Sequence, residues 1–207
     1  TLVGRVRSSS YYPSLFTAAF GDPTIDELRI SRAMAQFVRS MVSTNSKYDV
    51  GRAQTFPRPA GAPFPNFTQE ENDGKTIFFG RGNCNACHGT DAFVAPAPRN
   101  NGLDLIVQDS GVFHTTGNRR DIGRFKANSL RNIALSAPFM HDGRFATLEE
   151  VINHYSEGLK HSSTIDPLMK KVSQGGVGLS TKDKADLKAF LLSLSDFDFI
   201  NNPNFKE

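Results

Sequence analysis

The stretch Asp73-Gly74-Lys75-Thr76-Ile77-Phe78-Phe79-Gly80-Arg81-Gly82-Asn83-Cys84-Asn85-Ala86-Cys87-His88 decides how this chain is read. It ends in C-x-x-C-H, the attachment pattern of c-type haem. Two thiols that add across the two vinyl groups of a porphyrin must stand on one side of a single helical turn, and Cys84 and Cys87 have that spacing. The adjacent His88 is then carried under the ring, where its imidazole reaches the iron as the first axial ligand. A structural zinc site needs a second ligand pair, and the chain has no other C-x-x-C and no H-x-x-x-H. A thioredoxin-like pair belongs in a βαβ context, whereas the surroundings here read as helical. Two cysteines three positions apart are too few for a disulfide framework.

Working outward, four segments read as helices. Pro23–Val42 starts on a capping box at Thr24-Ile25-Asp26-Glu27 and lines Ile30, Met34, Phe37, Val38 and Met41 along one face. The second starts at Thr68 with Glu71 and carries Ile77, Phe78 and Phe79; Gly80 and Gly82 end it before the cysteines. The third starts at Thr147 with Glu150 and stops at Gly158. The fourth runs from Ser180 to about Leu194 on a stripe of Leu187, Phe190, Leu191 and Leu194. Residues 51–67, rich in Pro and Gly, read as a linker. Residues 89–146 read as a long irregular region that a cofactor would give something to pack against. Gly74 followed by aromatics lets another helix approach closely, and the last helix is its natural partner. That crossing looks like the class I cytochrome c fold. The fold expected is therefore all-α: residues 1–65 form a helical extension and linker, and residues 66–207 a cytochrome c-like haem domain with long haem-wrapping loops.

Composition bounds the rest. The chain has 207 residues, 38% of them apolar with 17 Phe, enough for one core around a large flat cofactor. No run approaches the roughly 18–20 apolar residues of a membrane span. A net charge of +3, spread along the chain, makes no case for nucleic acid. The opening Thr1-Leu2-Val3-Gly4-Arg5 has no Met and no apolar run behind a charged start, and reads as a mature or truncated product. Haem c is attached outside the cytoplasm, so the periplasm is the expected address.

The second axial position decides what a haem does. By chemistry alone Met140, His141, His154, Tyr155 and Met169 qualify. Met140, in the tight apolar segment Pro138-Phe139-Met140-His141, is attractive, because a thioether raises the potential and suits electron transfer.

Three further stretches carry a resemblance. They are Phe125-Lys126-Ala127-Asn128-Ser129-Leu130-Arg131-Asn132, Ala134-Leu135-Ser136-Ala137-Pro138-Phe139-Met140-His141-Asp142-Gly143, and Leu148-Glu149-Glu150-Val151-Ile152-Asn153-His154-Tyr155. Together they resemble the C-terminal domain of bacterial di-haem cytochrome c peroxidases and MauG-like proteins. Tyr12-Pro13-Ser14-Leu15-Phe16 and Phe37-Val38-Arg39-Ser40-Met41-Val42-Ser43 resemble the helices that lead into that domain. The resemblance moves the second ligand from Met140 to Tyr155, the position where classical members carry a Met and MauG-like members a Tyr. It places Arg131 and His141 near the haem pocket, within reach of the propionates. It implies calcium bound through the carbonyls of Ser136 and Pro138, with an Asn from another half. It also implies an N-terminal domain with a second, peroxide-reactive haem, for which this chain has neither a second motif nor any Trp. The chain is then expected to be a fragment: an electron-transfer half without catalytic residues of its own. Its partners are that N-terminal haem domain and a small redox protein as electron donor, and a homodimer is allowed. The alternative is a stand-alone mono-haem c-type cytochrome that only carries electrons. The apolar faces of residues 11–42 are expected to belong to the interface with the other half.

Overall fold

A computed structural model describes residues 1–169 and 171–205. The described residues form helices and turns, with isolated bridges but no strand. They divide into two compact units: Thr1–Ser43 with the segment from Asn202, and Thr44–Asn201. The division therefore falls earlier than the expected 65/66 boundary.

The first unit holds α1 (Leu2–Ser8), α2 (Tyr12–Phe20) and α3 (Glu27–Ser40). Asp26, not Thr24, caps α3: its carboxylate accepts from the Arg29 N–H at 2.7 Å. Thr24 is drawn into the preceding turn, where its N–H donates to Asp22 at 2.9 Å. The Arg29 guanidinium forks onto both Asp22 oxygens, each at 2.7 Å, and holds that turn against the helix. The apolar stripe of α3 is present but uncovered, with Met34, Phe37 and Val38 all more than half exposed.

The second unit contains the core. Its elements are α4 (Lys47–Thr55), α5 (Gln69–Phe79), α6 (Asn85–His88), α7 (Phe113–Thr116), α8 (Leu148–Asn153), α9 (Thr181–Leu192) and α10 (Phe197–Ile200). Helix α4 occupies part of the expected linker. It starts on a capping box, with Ser46 accepting from the Asp49 N–H and Asp49 from the Ser46 N–H. Its Gly51 lies where a Cβ would come within 2.4 Å of the Phe64 ring. This glycine marks close packing inside a helix, not a break. Phe64 and Phe67, also read as linker, are core residues.

The expected starts at Thr68, Thr147 and Ser180 are all capping boxes. Helices α5 and α9 cross at Gly74, where a Cβ would meet the Asp186 carbonyl oxygen at 1.9 Å. Only a glycine permits this approach. Around the crossing Phe78, Phe93, Phe190 and Tyr48 interlock edge to face, with centroids 5.0–6.5 Å apart. Phe190, fully buried, sits at the centre; truncating such a side chain to Ala costs about 3–5 kcal/mol.

Candidate functional site

Helix α6 is a single turn, and it sets Cys84, Cys87 and His88 on the chain immediately after the α5 crossing. The cysteines are unpaired. Cys84 is half-exposed as a residue, yet its thiol is crowded enough that burial pushes it up to about 12; burial raises Cys87 too.

The imidazole of His88 has its Nδ1 2.8 Å from the Phe93 carbonyl oxygen. A carbonyl only accepts, so Nδ1 carries the proton and Nε2 keeps its lone pair. Burial lowers the pKa of His88, partly offset by that carbonyl, and the ring is therefore neutral near pH 7. A neutral imidazole oriented by a main-chain carbonyl is the arrangement a metal ligand requires. Phe93 takes a left-handed backbone (φ +54°) and is fully buried, which fixes the carbonyl in place.

Tyr155 arrives from another direction. Helix α8 ends at Asn153, and the chain continues as a π turn, His154–Gly158. Such turns are rare and concentrate at functional sites. The loop that follows holds this one. Val177 N–H donates to the Tyr155 carbonyl at 3.2 Å, Gly178 N–H to the Ser156 carbonyl at 2.8 Å, and Leu159 N–H to the Gly175 carbonyl at 2.7 Å. The Tyr155 hydroxyl lies 3.2 Å from the Asn101 amide nitrogen. Burial raises its pKa, partly offset by the hydrogen bond to Asn101.

The other expected residues are placed as follows. Met140 stands on a turn closed by the Phe139–Phe145 bridge, in a left-handed backbone (φ +74°), its sulfur 3.4 Å from the same Asn101 nitrogen. His154 Nε2 lies 3.2 Å from the Asn101 carbonyl oxygen. His141 is exposed and stacks on Phe125, centroids 3.7 Å apart. Arg131 forks onto Asp49 at 2.8 and 2.9 Å and also donates to the Asp91 carbonyl, so its guanidinium ties α4 to the loop after α6. Ser136 and Pro138 are exposed. Met169 is half-buried, its N–H donating to the Asp166 carbonyl. Among the described residues no three His, Cys, Asp or Glu side chains cluster as a metal site.

The sequence reading missed Asn101, which has no motif to mark it, and a pair of arginines. Arg99 and Arg124 each have a buried Nε with no partner among the described residues. The Arg99 backbone pairs with Phe125, next to Arg124, and each guanidinium is otherwise held by an ion pair, Arg99 to Asp166 at 3.0 Å and Arg124 to Asp121 at 3.1 Å. The donor set fits haem c: two free thiols on one turn and an imidazole with Nε2 available.

Comparison with known proteins agrees with this geometry. The family model described as di-haem cytochrome c peroxidase matches residues 1–55. The methylamine utilization protein MauG of Methylophilus methylotrophus is 32% identical over 198 residues, covering 94% of this chain and 55% of that protein. A cytochrome-c peroxidase of Pseudomonas sp. (strain SCT) is 29% identical over 199 residues, covering 83% and 50% respectively. The crystal structure of a MauG-like protein associated with microbial copper homeostasis superposes with a TM-score of 0.78 at 35% identity, covering 99% of this chain and 64% of that one. The diheme peroxidase BthA from Burkholderia thailandensis shares the fold, with a TM-score of 0.65 at 19% identity. The chain spans about half the length of the curated relatives it matches. By its motif, its helical fold and these likenesses, the chain belongs to the di-haem cytochrome c peroxidase/MauG family, whose members imply a haem c cofactor.

Proposed function

We propose that this chain is the haem c electron-transfer domain of a periplasmic di-haem cytochrome c peroxidase or MauG-like enzyme. It passes electrons from a small redox protein to a peroxidatic haem in a part of the protein outside this chain. Cys84 and Cys87 would hold the cofactor through thioethers, and His88 Nε2 and the Tyr155 oxygen would be its two protein ligands to iron. When bound, the haem supplies a one-electron couple, and a phenolate ligand favours its ferric state. The α5–α9 crossing at Gly74 is the class I cytochrome c crossing. The carbonyls of Ser136 and Pro138 serve a calcium ion shared with the other half.

One observation carries the proposal: on the turn with the two free thiols, His88 ties its Nδ1 to the Phe93 carbonyl at 2.8 Å and keeps Nε2 for a metal. With protein ligands on both sides the iron would offer peroxide no open position, and electron transfer would be the role left. Electron paramagnetic resonance of the ferric protein tests this. Tyr155→Phe is expected to convert a six-coordinate signature to an open, high-spin one. An unchanged spectrum removes the proposal, and a change on Met140→Ala instead would make the sulfur the ligand.

A further inference from the structure

Two of the candidate axial ligands meet on one side chain. The Asn101 amide nitrogen lies 3.2 Å from the Tyr155 oxygen and 3.4 Å from the Met140 sulfur. A thioether only accepts, so the amide must present its nitrogen, with one hydrogen for each partner. The main chain of Asn101 adds a third tie, since its carbonyl accepts from His154 Nε2 at 3.2 Å. Asn101 thus grips two successive residues of the π turn, His154 by backbone and Tyr155 by side chain.

The geometry points to Asn101 as the positioning residue that selects Tyr155 over Met140 as the second axial ligand. This rests on the proposal that Tyr155 binds the iron. A hydrogen bond from an amide to an anionic phenolate oxygen is charge-assisted and about twice as strong as a neutral one, whereas a thioether sulfur is a weak acceptor. The same amide therefore stabilises a bound tyrosine oxygen more than a bound sulfur, and its second hydrogen keeps the sulfur at hand without giving it the iron. An amide that only donates at this point is compatible with a phenolate; an acceptor there would oppose it.

The test uses the haem-loaded protein and three readouts: the phenolate-to-iron charge-transfer absorption, the paramagnetic resonance signature and the reduction potential. Asn101→Leu removes both donors. The ratio of tyrosine-bound to tyrosine-free haem is expected to fall about tenfold, equivalent to about 1.4 kcal/mol, and the potential to rise as sulfur or an open position takes over. Adding Met140→Leu should then abolish the sulfur-bound fraction. Asn101→Asp keeps the shape and the backbone tie to His154 but turns donors into acceptors; it should displace tyrosine at least as far. It also carries the test if the leucine variant does not fold. A merely structural role predicts a wild-type axial signature in Asn101→Asp. The inference is overturned if both Asn101 variants keep the wild-type signature while Tyr155→Phe loses it. If Tyr155→Phe itself changes nothing, the ligand assignment beneath it has failed.

Discussion

Lys75 shows how one side chain can organise a loop. It lies on α5, fully buried, with its ammonium donating to the carbonyls of Ala60 and Ala62 and resting 3.3 Å from the centre of the Phe64 ring. These contacts pin residues 60–64 over the helix, and an irregular segment thereby becomes part of the core. Burial, with a smaller contribution from Arg52, lowers the pKa of Lys75 from its ordinary 10.5 to about 8. Below about pH 8 the lysine is charged in folded and unfolded chains alike and contributes no pH dependence. Between there and 10.5 the unfolded chain holds the extra proton, so stability rises with pH across that window and the gain is lost as pH falls back through it. Denaturant titrations should show this rise in the wild-type protein and not in Lys75→Met. At neutral pH the same variant should lose about 1–3 kcal/mol, because it removes the donor to two half-buried carbonyls. Nothing in the sequence around Lys75 announces this role. Lysine on an amphipathic helix is ordinarily a surface residue, and only the returning Pro-rich loop buries it.

Among the elements, those whose hydrogen bonds close within a few residues were legible. Thr68 and Thr147 cap helices as their spacing to Glu71 and Glu150 predicts, because a capping box is a local bond pair, and Ser180 starts the last helix where expected. The single turn at Asn85–His88 was legible for the same reason. Helix α4 was not, since Gly51 and the following prolines look like a break until Phe64 folds back on them. The π turn was not either, because its carbonyls are satisfied by residues 177 and 178, far along the chain. Two glycines test this account of the elements. An alanine at 74 would put its Cβ 1.9 Å from the Asp186 carbonyl oxygen and 2.9 Å from Phe190 Cβ. Forcing α5 and α9 apart should cost about 3 kcal/mol, read as a lowered urea midpoint. An alanine at 176 (φ +149°) would come within 2.5 Å of the Tyr155 and Ser156 carbonyl oxygens. Gly176→Ala should therefore disturb the axial signature of the haem, while Gly74→Ala should act first on stability. If Gly176→Ala leaves the haem spectrum untouched, the 175–179 loop does not hold the ligand turn.

Taken whole, the molecule divides its labour unevenly. Every residue assigned to the haem, from Cys84 to Tyr155, lies in the unit Thr44–Asn201, together with the continuous core from Tyr48 to Leu194. The unit containing α1 to α3 has Phe16 and Ile25 as its buried hydrophobics among the described residues, and α3 buries none. Burying one such side chain is worth about 1.5–3 kcal/mol, against about 1–2 kcal/mol of backbone entropy for each residue ordered. Residues 1–43 therefore cannot supply their own stability. The amphipathic pattern of α3 was legible in the sequence, but a pattern reports only that a face is apolar, not what covers it. The haem unit, by contrast, contains its complete core. A chain of residues 44–201 should take up haem c with an unchanged Soret spectrum and unfold in urea at a midpoint close to that of the 207-residue chain. Residues 1–43 alone should show little helicity by circular dichroism. Removing them should also lower self-association in sedimentation, since the exposed Met34, Phe37 and Val38 go with them. A truncated chain that fails to retain haem would show that the first unit is needed to complete the site.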